Sequence, residues 1–176
     1  MRTLWLRDRA LDLDRVRLLG VLNLTPDSFS DGGRYLDPER ALERAREMVA
    51  EGADILDLGA ESTRPGAAPV PVEEEKRRVL PLLEAGLSLG VAVGRDTPTP
   101  EVAEEALKLG AHLLNDVTGL RDERMVALAA RHGVAAVVMH MPVPDPATMM
   151  AHARYRDVVA EVKAFHKALC AVRVLD

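Results

Sequence analysis

One unit repeats along this chain and limits the folds open to it. A short apolar run ends in a polar loop marked by Gly or Pro, and an amphipathic stretch follows. The first run is Val16 to Leu24, broken only by Arg17, Gly20 and Asn23. Ile55 to Leu58, Val91 to Val93, His112 to Leu114 and Val134 to Met139 repeat it. Apolar runs of this length, bounded by turn formers, predict buried strands. Between them, helices are predicted from Pro38 to Gly52, with Asp37 as N-cap, and from Val72 to Leu89. Further helices are predicted from Pro100 to Leu109, Met125 to His132 and Arg154 to Leu169, the first two closed by Gly110 and Gly133. Residues 172–176 predict the start of a sixth strand. Residues 3–17 carry Leu4, Leu6, Leu11 and Leu13 two apart within each arm, which predicts a small hairpin turning near Arg7 to Ala10. The charge run Glu73 to Arg78 is expected to be a solvated helix face.

Strands alternating with helices imply a parallel sheet with right-handed crossovers. The loops after strands are long and polar, while those after helices are short and glycine-marked. In a parallel barrel the active site lies at the C-terminal strand ends. Asn23, the Ser62-Thr63-Arg64 group, Asp96, Asn115 and His140 all fall there. Core packing does not call for polar groups at five successive strand ends, because buried polar groups cost free energy unless paired. The pattern therefore points to a shared ligand site. The opening stretch, Gly20 to Gly33, presents an amide, hydroxyls and carboxylates where the first strand ends.

Composition excludes several classes. With 48% hydrophobic residues the 176-residue chain is globular, and with 3% aromatics its core is Leu, Val and Ala. A net charge of −5 argues against a nucleic-acid partner. The single cysteine, Cys170, leaves no internal disulfide and suggests a cytoplasmic setting. Apolar runs all fall short of the ~20 residues of a membrane helix, and the charged N-terminus does not read as a signal peptide. His and Cys form no cluster in sequence that suggests structural zinc.

With these residues in view, the chain resembles the dihydropteroate synthases, a family of folate-pathway enzymes. The opening stretch resembles that family's first signature, and Asp57-Leu58-Gly59-Ala60-Glu61-Ser62-Thr63-Arg64-Pro65-Gly66 its second. Asp96-Thr97, Leu114-Asn115-Asp116 and Val138-Met139-His140-Met141 follow in the family's order. The resemblance covers residues 3–160. It implies a (β/α)8 TIM barrel, an α/β fold of which this chain would hold the first five to six βα units after its hairpin. It implies a transferase joining 4-aminobenzoate to a dihydropterin diphosphate with release of pyrophosphate, and a target of sulfonamides. It implies Mg²⁺, held on the diphosphate by Asn23, with Asp96, Asn115, Met139 and Asp176 at the pterin. Thr63 and Arg64 would lie on a loop closing over the site. The expected partners are the two small-molecule substrates and a second copy of the chain, as a homodimer. A pterin-binding methyltransferase domain shares the barrel and pocket and is the alternative enzyme; Ser-Thr-Arg-Pro-Gly favours the synthase. A non-catalytic pterin-binding fragment is the alternative outside enzymes.

Three departures from the family pattern stand out. The chain is shorter than the ~250 residues of a usual barrel, so residues 1–176 are expected to be one pterin-binding domain incomplete at its C-terminus. Its later signatures, which include a pterin-binding lysine and an anion-binding arginine and histidine, are absent. Asp176 matches only the opening aspartate of the family's glycine-rich stretch. The helix before Val172 is shorter than the family's. Finally, Gly94 and Arg95 replace a small residue and an aliphatic before Asp96. Alternation turns Arg95 toward the helices, where an unpaired charge would be costly.

Overall fold

The structure, a computed structural model, describes residues 2–24, 37–60, 70–143, 148, 152 and 154–173, the last five as backbone alone. Strand β1 (Thr3–Leu6) and strand β2 (Arg9–Asp12) form the expected antiparallel hairpin, turning at Arg7 and Asp8. Five parallel strands follow: β3 (Leu19–Asn23), β4 (Ile55–Gly59), β5 (Ala92–Asp96), β6 (Leu113–Asp116) and β7 (Ala135–Val138). They pair in chain order, β3-β4-β5-β6-β7. Helices α1 (Pro38–Ala50), α2 (Val72–Leu87), α3 (Pro100–Leu109) and α4 (Glu123–His132) pack side by side in the same order. Sheet and helices thus wind in one direction without a reversal of strand order. That is the wall of a (β/α) barrel rather than a doubly wound sheet.

Local signals position the helices. Asp37 accepts from the backbone N–H groups of Glu39 and Arg40, and Pro38 opens α1 as expected. Gly110 and Gly133 close α3 and α4 at φ of 117° and 62°, a region unfavourable to a residue with a Cβ. Alternation sorts the strands into two faces. Leu22, Leu56, Leu58, Val93 and Leu114 join the main core under the helices with Ala41, Val79, Leu83, Ala106 and Leu107. On the inner face, Ile55, Ala92 and Leu113 begin their strands and pack with Leu6 of the hairpin, Leu11 and Ala135. The hairpin therefore covers the N-terminal end of the inner face. Arg7 ties it down by donating to the carbonyl of Leu107, and Arg9 by donating to that of Gly90.

Three expectations change. Helix α5 (Val158–Arg173) contains Val172 and Arg173, which were expected to begin a sixth strand; residues 174–176 lie outside the described residues. The stretch 168–173 is mostly Ala, Leu, Val and Arg with no Gly or Pro, so nothing in it breaks a helix. Strand β5 runs through Gly94, Arg95 and Asp96, expected as loop, because Leu58 and Gly59 of β4 pair with Arg95 and Asp96. Glu75, expected on a solvated face, is 1% exposed. Arg95 is fully buried but not unpaired: Glu75 is its ion-pair partner.

Candidate active site

Register places Asn23, Gly59, Asp96, Asn115 and Val137 in one row across five strands. Each lies at or near the C-terminal end of its strand, opposite the hairpin. Asp57 lies two residues before Gly59 on the same inner face, level with Gly94.

The row is polar because two glycines leave it room. A Cβ on Gly59 would collide with Asn23 Oδ1 and stand 3.6 Å from Asp96 Oδ2. One on Gly94 would stand 3.0 Å from Asp57 Oδ1 and 3.1 Å from Leu113 Cδ2. Over the space at Gly94, Asn115 Nδ2 donates to Asp57 Oδ2 at 2.8 Å. That bond fixes the amide: with Nδ2 committed, Asn115 Oδ1 remains as an acceptor.

Electrostatics separate the two carboxyls. Asp57 is fully buried, and its Oδ1 has no hydrogen-bond partner among the described residues. Burial raises its pKa against the Asn115 hydrogen bond and the Arg95 charge. Asp96 is pushed up to about 7, first by burial and next by the charge of Asp57, with Arg95 opposing and Asp116 and Glu75 adding smaller increases. Near neutral pH its carboxyl can both accept a hydrogen bond and, when protonated, donate one. Such tuning is common at functional sites.

The structure brings together Asn23, Asp96 and Asn115 of the residues expected at the site. Met139 follows β7 and continues the alternation of Ala135 and Val137 onto the inner face, half-buried. Thr63, Arg64 and Asp176 lie outside the described residues. Asp57 belongs to the second signature, yet the sequence pattern alone does not place it at the site. Its signal was an aspartate flanked by Leu56 and Leu58 within an apolar run. Asp116 points the other way and folds its own turn, accepting from Thr118 N, Thr118 Oγ1 and Leu120 N. His140 packs against Phe165 in an edge-on contact at 4.8 Å and lies near Tyr155 and His166, which accounts for its burial without a ligand.

Among the described residues no three or more His, Cys, Asp or Glu side chains gather as a metal cage. None of the described helices is long and apolar enough to cross a membrane.

Comparison with known proteins gives this row a context. The chain is 44% identical over 163 residues to the Escherichia coli dihydropteroate synthase, covering 92% of this chain and 57% of that protein. The crystal structure of the Thermus thermophilus dihydropteroate synthase in complex with 4-aminobenzoate superposes with a TM-score of 0.84 at 82% identity, covering 98% of this chain and 62% of that one. The Xanthomonas albilineans enzyme in complex with 7,8-dihydropteroate gives 0.78 at 40% identity, with 95% and 58% covered. The chain thus spans about three fifths of the length of these relatives. A family model described as pterin binding enzyme matches residues 19–172, from the first parallel strand into α5, and the chain belongs to that family.

Proposed function

We propose that this chain carries the pterin-binding part of a dihydropteroate synthase, which condenses 4-aminobenzoate with a dihydropterin diphosphate. The observation that carries the reading is the hydrogen-bonded pair Asp57 and Asn115 on the inner face, with Asp96 beside Asn115 in the row that Asn23 begins. The relatives named above supply the substrate class: one is seen with 4-aminobenzoate and another with 7,8-dihydropteroate.

A pterin edge carries N–H donors beside ring nitrogen and carbonyl acceptors. Asp96 at the row and Asp57 beneath it provide acceptors, and Asn115 Oδ1 adds a third. With its carboxyl near half ionisation, Asp96 can match either protonation state of a ring nitrogen. Met139 would contact the ring's face. Asn23 stands across Gly59 from Asp96, so a diphosphate on the pterin's methylene would lie over Asn23.

The residues present fit Mg²⁺ of the kind that accompanies diphosphates. This ion prefers hard oxygen ligands and keeps several waters, with substrate oxygens completing its shell. The Asn23 amide oxygen would be one such ligand, so a cage of carboxylates is not required. When bound, the ion would neutralise charge on the departing diphosphate. The protein's part is to hold the pterin so that its methylene faces the amine of 4-aminobenzoate. The methylene C–O bond breaks, a C–N bond forms, the amine loses a proton and pyrophosphate leaves.

Thr63 and Arg64 over the site, Asp176 at the pterin, a homodimer and a cytoplasmic setting complete the reading on the strength of the family resemblance. In the same reading residues 1–176 belong to one pterin-binding barrel domain.

The test is calorimetric titration with a pterin analogue, followed by an assay of pyrophosphate release with 4-aminobenzoate and Mg²⁺. Asp96→Ala and Asn115→Ala should each weaken pterin binding by ~1–3 kcal/mol, the cost of leaving buried donors unpaired. Unchanged affinity in both variants overturns the assignment.

A further inference from the structure

Arg95 occupies the helix-facing side of β5, directly behind the row. Its Nη1 donates to the Leu58 carbonyl at 2.5 Å and also to the carbonyl of Asp96. Its Nη2 pairs with the Glu75 carboxylate of α2, and both side chains are essentially fully buried. Leu58 precedes Gly59 and Arg95 precedes Asp96, and these residues are register partners on adjacent strands. The guanidinium therefore grips the backbone of β4 and β5 at the level where the inner-face row is built.

The chemistry of the residue suits this position. A planar fork of donors can span two carbonyls and a carboxylate, whereas an ammonium is a compact point charge. The surrounding layer is mostly Leu, Val and Ala. Well-packed apolar side chains in place of such a pair are often equally stable or more so. What the pair adds is directed charge and a fixed backbone next to Asp96.

We propose that Arg95 is a positioning residue for the Asp96 carboxyl, acting from the helix side of the sheet through the Leu58 and Asp96 carbonyls and through its charge. For its bearing on ligand binding the inference rests on the pterin reading of the site. The charged groups that bear on Asp96 are Asp57 from β4, Asp116 from β6, Glu75 from α2 and Arg95 from its own strand. Three are acidic, and Arg95 is the cation that offsets them. It favours the ionised, accepting form of Asp96 where burial and the acids favour the protonated one.

The test reads Asp96 directly. Carboxyl carbon chemical shifts of the labelled chain, assigned with Asp96→Asn, give the titration midpoint without any ligand. Two variants should move it in opposite directions. Glu75→Gln keeps a hydrogen-bond acceptor for Arg95 and removes an acid, so the midpoint falls. Arg95→Leu combined with Glu75→Leu removes the cation with its counterion, so the midpoint rises, the Arg95 effect being the larger of the two. Circular dichroism establishes that each variant folds; if the double variant does not, Glu75→Gln decides. A midpoint unmoved by Glu75→Gln, or raised by it, overturns the proposal. So does a folded double variant titrating at the parent midpoint. Pterin titration of the same proteins separates this inference from the functional reading. Opposite midpoint shifts without pterin binding by the parent chain would leave Arg95 as proposed and remove the pterin reading. Binding by the parent that is unchanged in affinity and pH dependence in the double variant would do the reverse.

Discussion

Asn115 and Asp57 are joined by a hydrogen bond that passes over an intervening strand. Asn115 belongs to β6 and Asp57 to β4; on β5 between them, Gly94 is the register partner of Asp57 and Asp96 that of Asn115. Two side chains from non-adjacent strands can meet this way only where the middle strand carries no side chain in the path. The departure of this chain at Gly94 thus has a structural counterpart in the pocket floor.

Gly94→Val places methyl groups against Asp57 Oδ1 and the Leu113 side chain, where even a Cβ alone would be tight. Overpacking of this kind costs ~1–3 kcal/mol. The same change should break the bond from Asn115 to Asp57 and weaken pterin binding. Urea unfolding and calorimetry together check it; a fully stable variant with parent affinity contradicts the floor described.

Asp96 makes stability depend on pH with a definite sign. Its folded pKa of about 7 is above the ordinary 3.8, so the folded chain holds a proton that the unfolded chain releases. Its contribution is therefore fully present below 3.8 and is lost as pH rises toward 7. Asp96→Asn removes the titrating group. The variant should be more stable than the parent at neutral pH, with the gap closing in acid. Unfolding midpoints of the two proteins across that range check the sign; a gap that widens in acid contradicts it.

The parts of the fold set by local physics were legible in the sequence. The Asp37 cap, the Pro38 start and the glycines at 110 and 133 each act within one helical turn, and each appears as read. Asn23, Asp96 and Asn115 were legible because each is a polar residue at or just beyond the end of an apolar run. What escaped depended on partners distant along the chain. Glu75 looks like one acid in a charged run, and only Arg95, twenty residues on, draws it into the core. The apolar run of β5 stops before Gly94, yet β4 and β6 supply the hydrogen bonds that carry the strand on to Asp96. Asp57 looked like part of a signature rather than a pocket floor until register set it beside Gly94.

His112 gives the hairpin end of the barrel a pH dependence of the opposite sign. Its Nδ1 accepts from the Val93 N–H at 3.1 Å, and its Nε2 lies 3.4 Å from Asp8 Oδ1 in the hairpin turn. Burial lowers its pKa from 6.5, aided by Arg9 and Arg7 and opposed by Asp8. A depressed folded pKa means stability that is present above 6.5 and lost as pH falls through the folded value. His112→Phe should be less stable at neutral pH, because the Val93 N–H loses its acceptor, but should lose less stability on acidification. Measuring both proteins in an Asp96→Asn background isolates this from the acid-side gain due to Asp96. Parallel pH profiles for the parent and the variant contradict the assignment.

The Arg95–Glu75 pair predicts a strong asymmetry between breaking it and replacing it. Both charges are inside the helix layer, with Glu75 1% exposed and Arg95 fully buried. Glu75→Ala strands the guanidinium among Leu and Val and should cost ~3–5 kcal/mol. Arg95→Leu with Glu75→Leu strands no charge and fills the space with apolar side chains, so its cost should be under ~1 kcal/mol, or it should stabilise. The double variant would then be more stable than Glu75→Ala although it carries one more substitution. Urea unfolding of the parent, Glu75→Ala, Arg95→Leu and the double variant forms a complete cycle. Additive costs in that cycle would show that the two side chains do not act as a pair and would remove Glu75 as the counterion of Arg95.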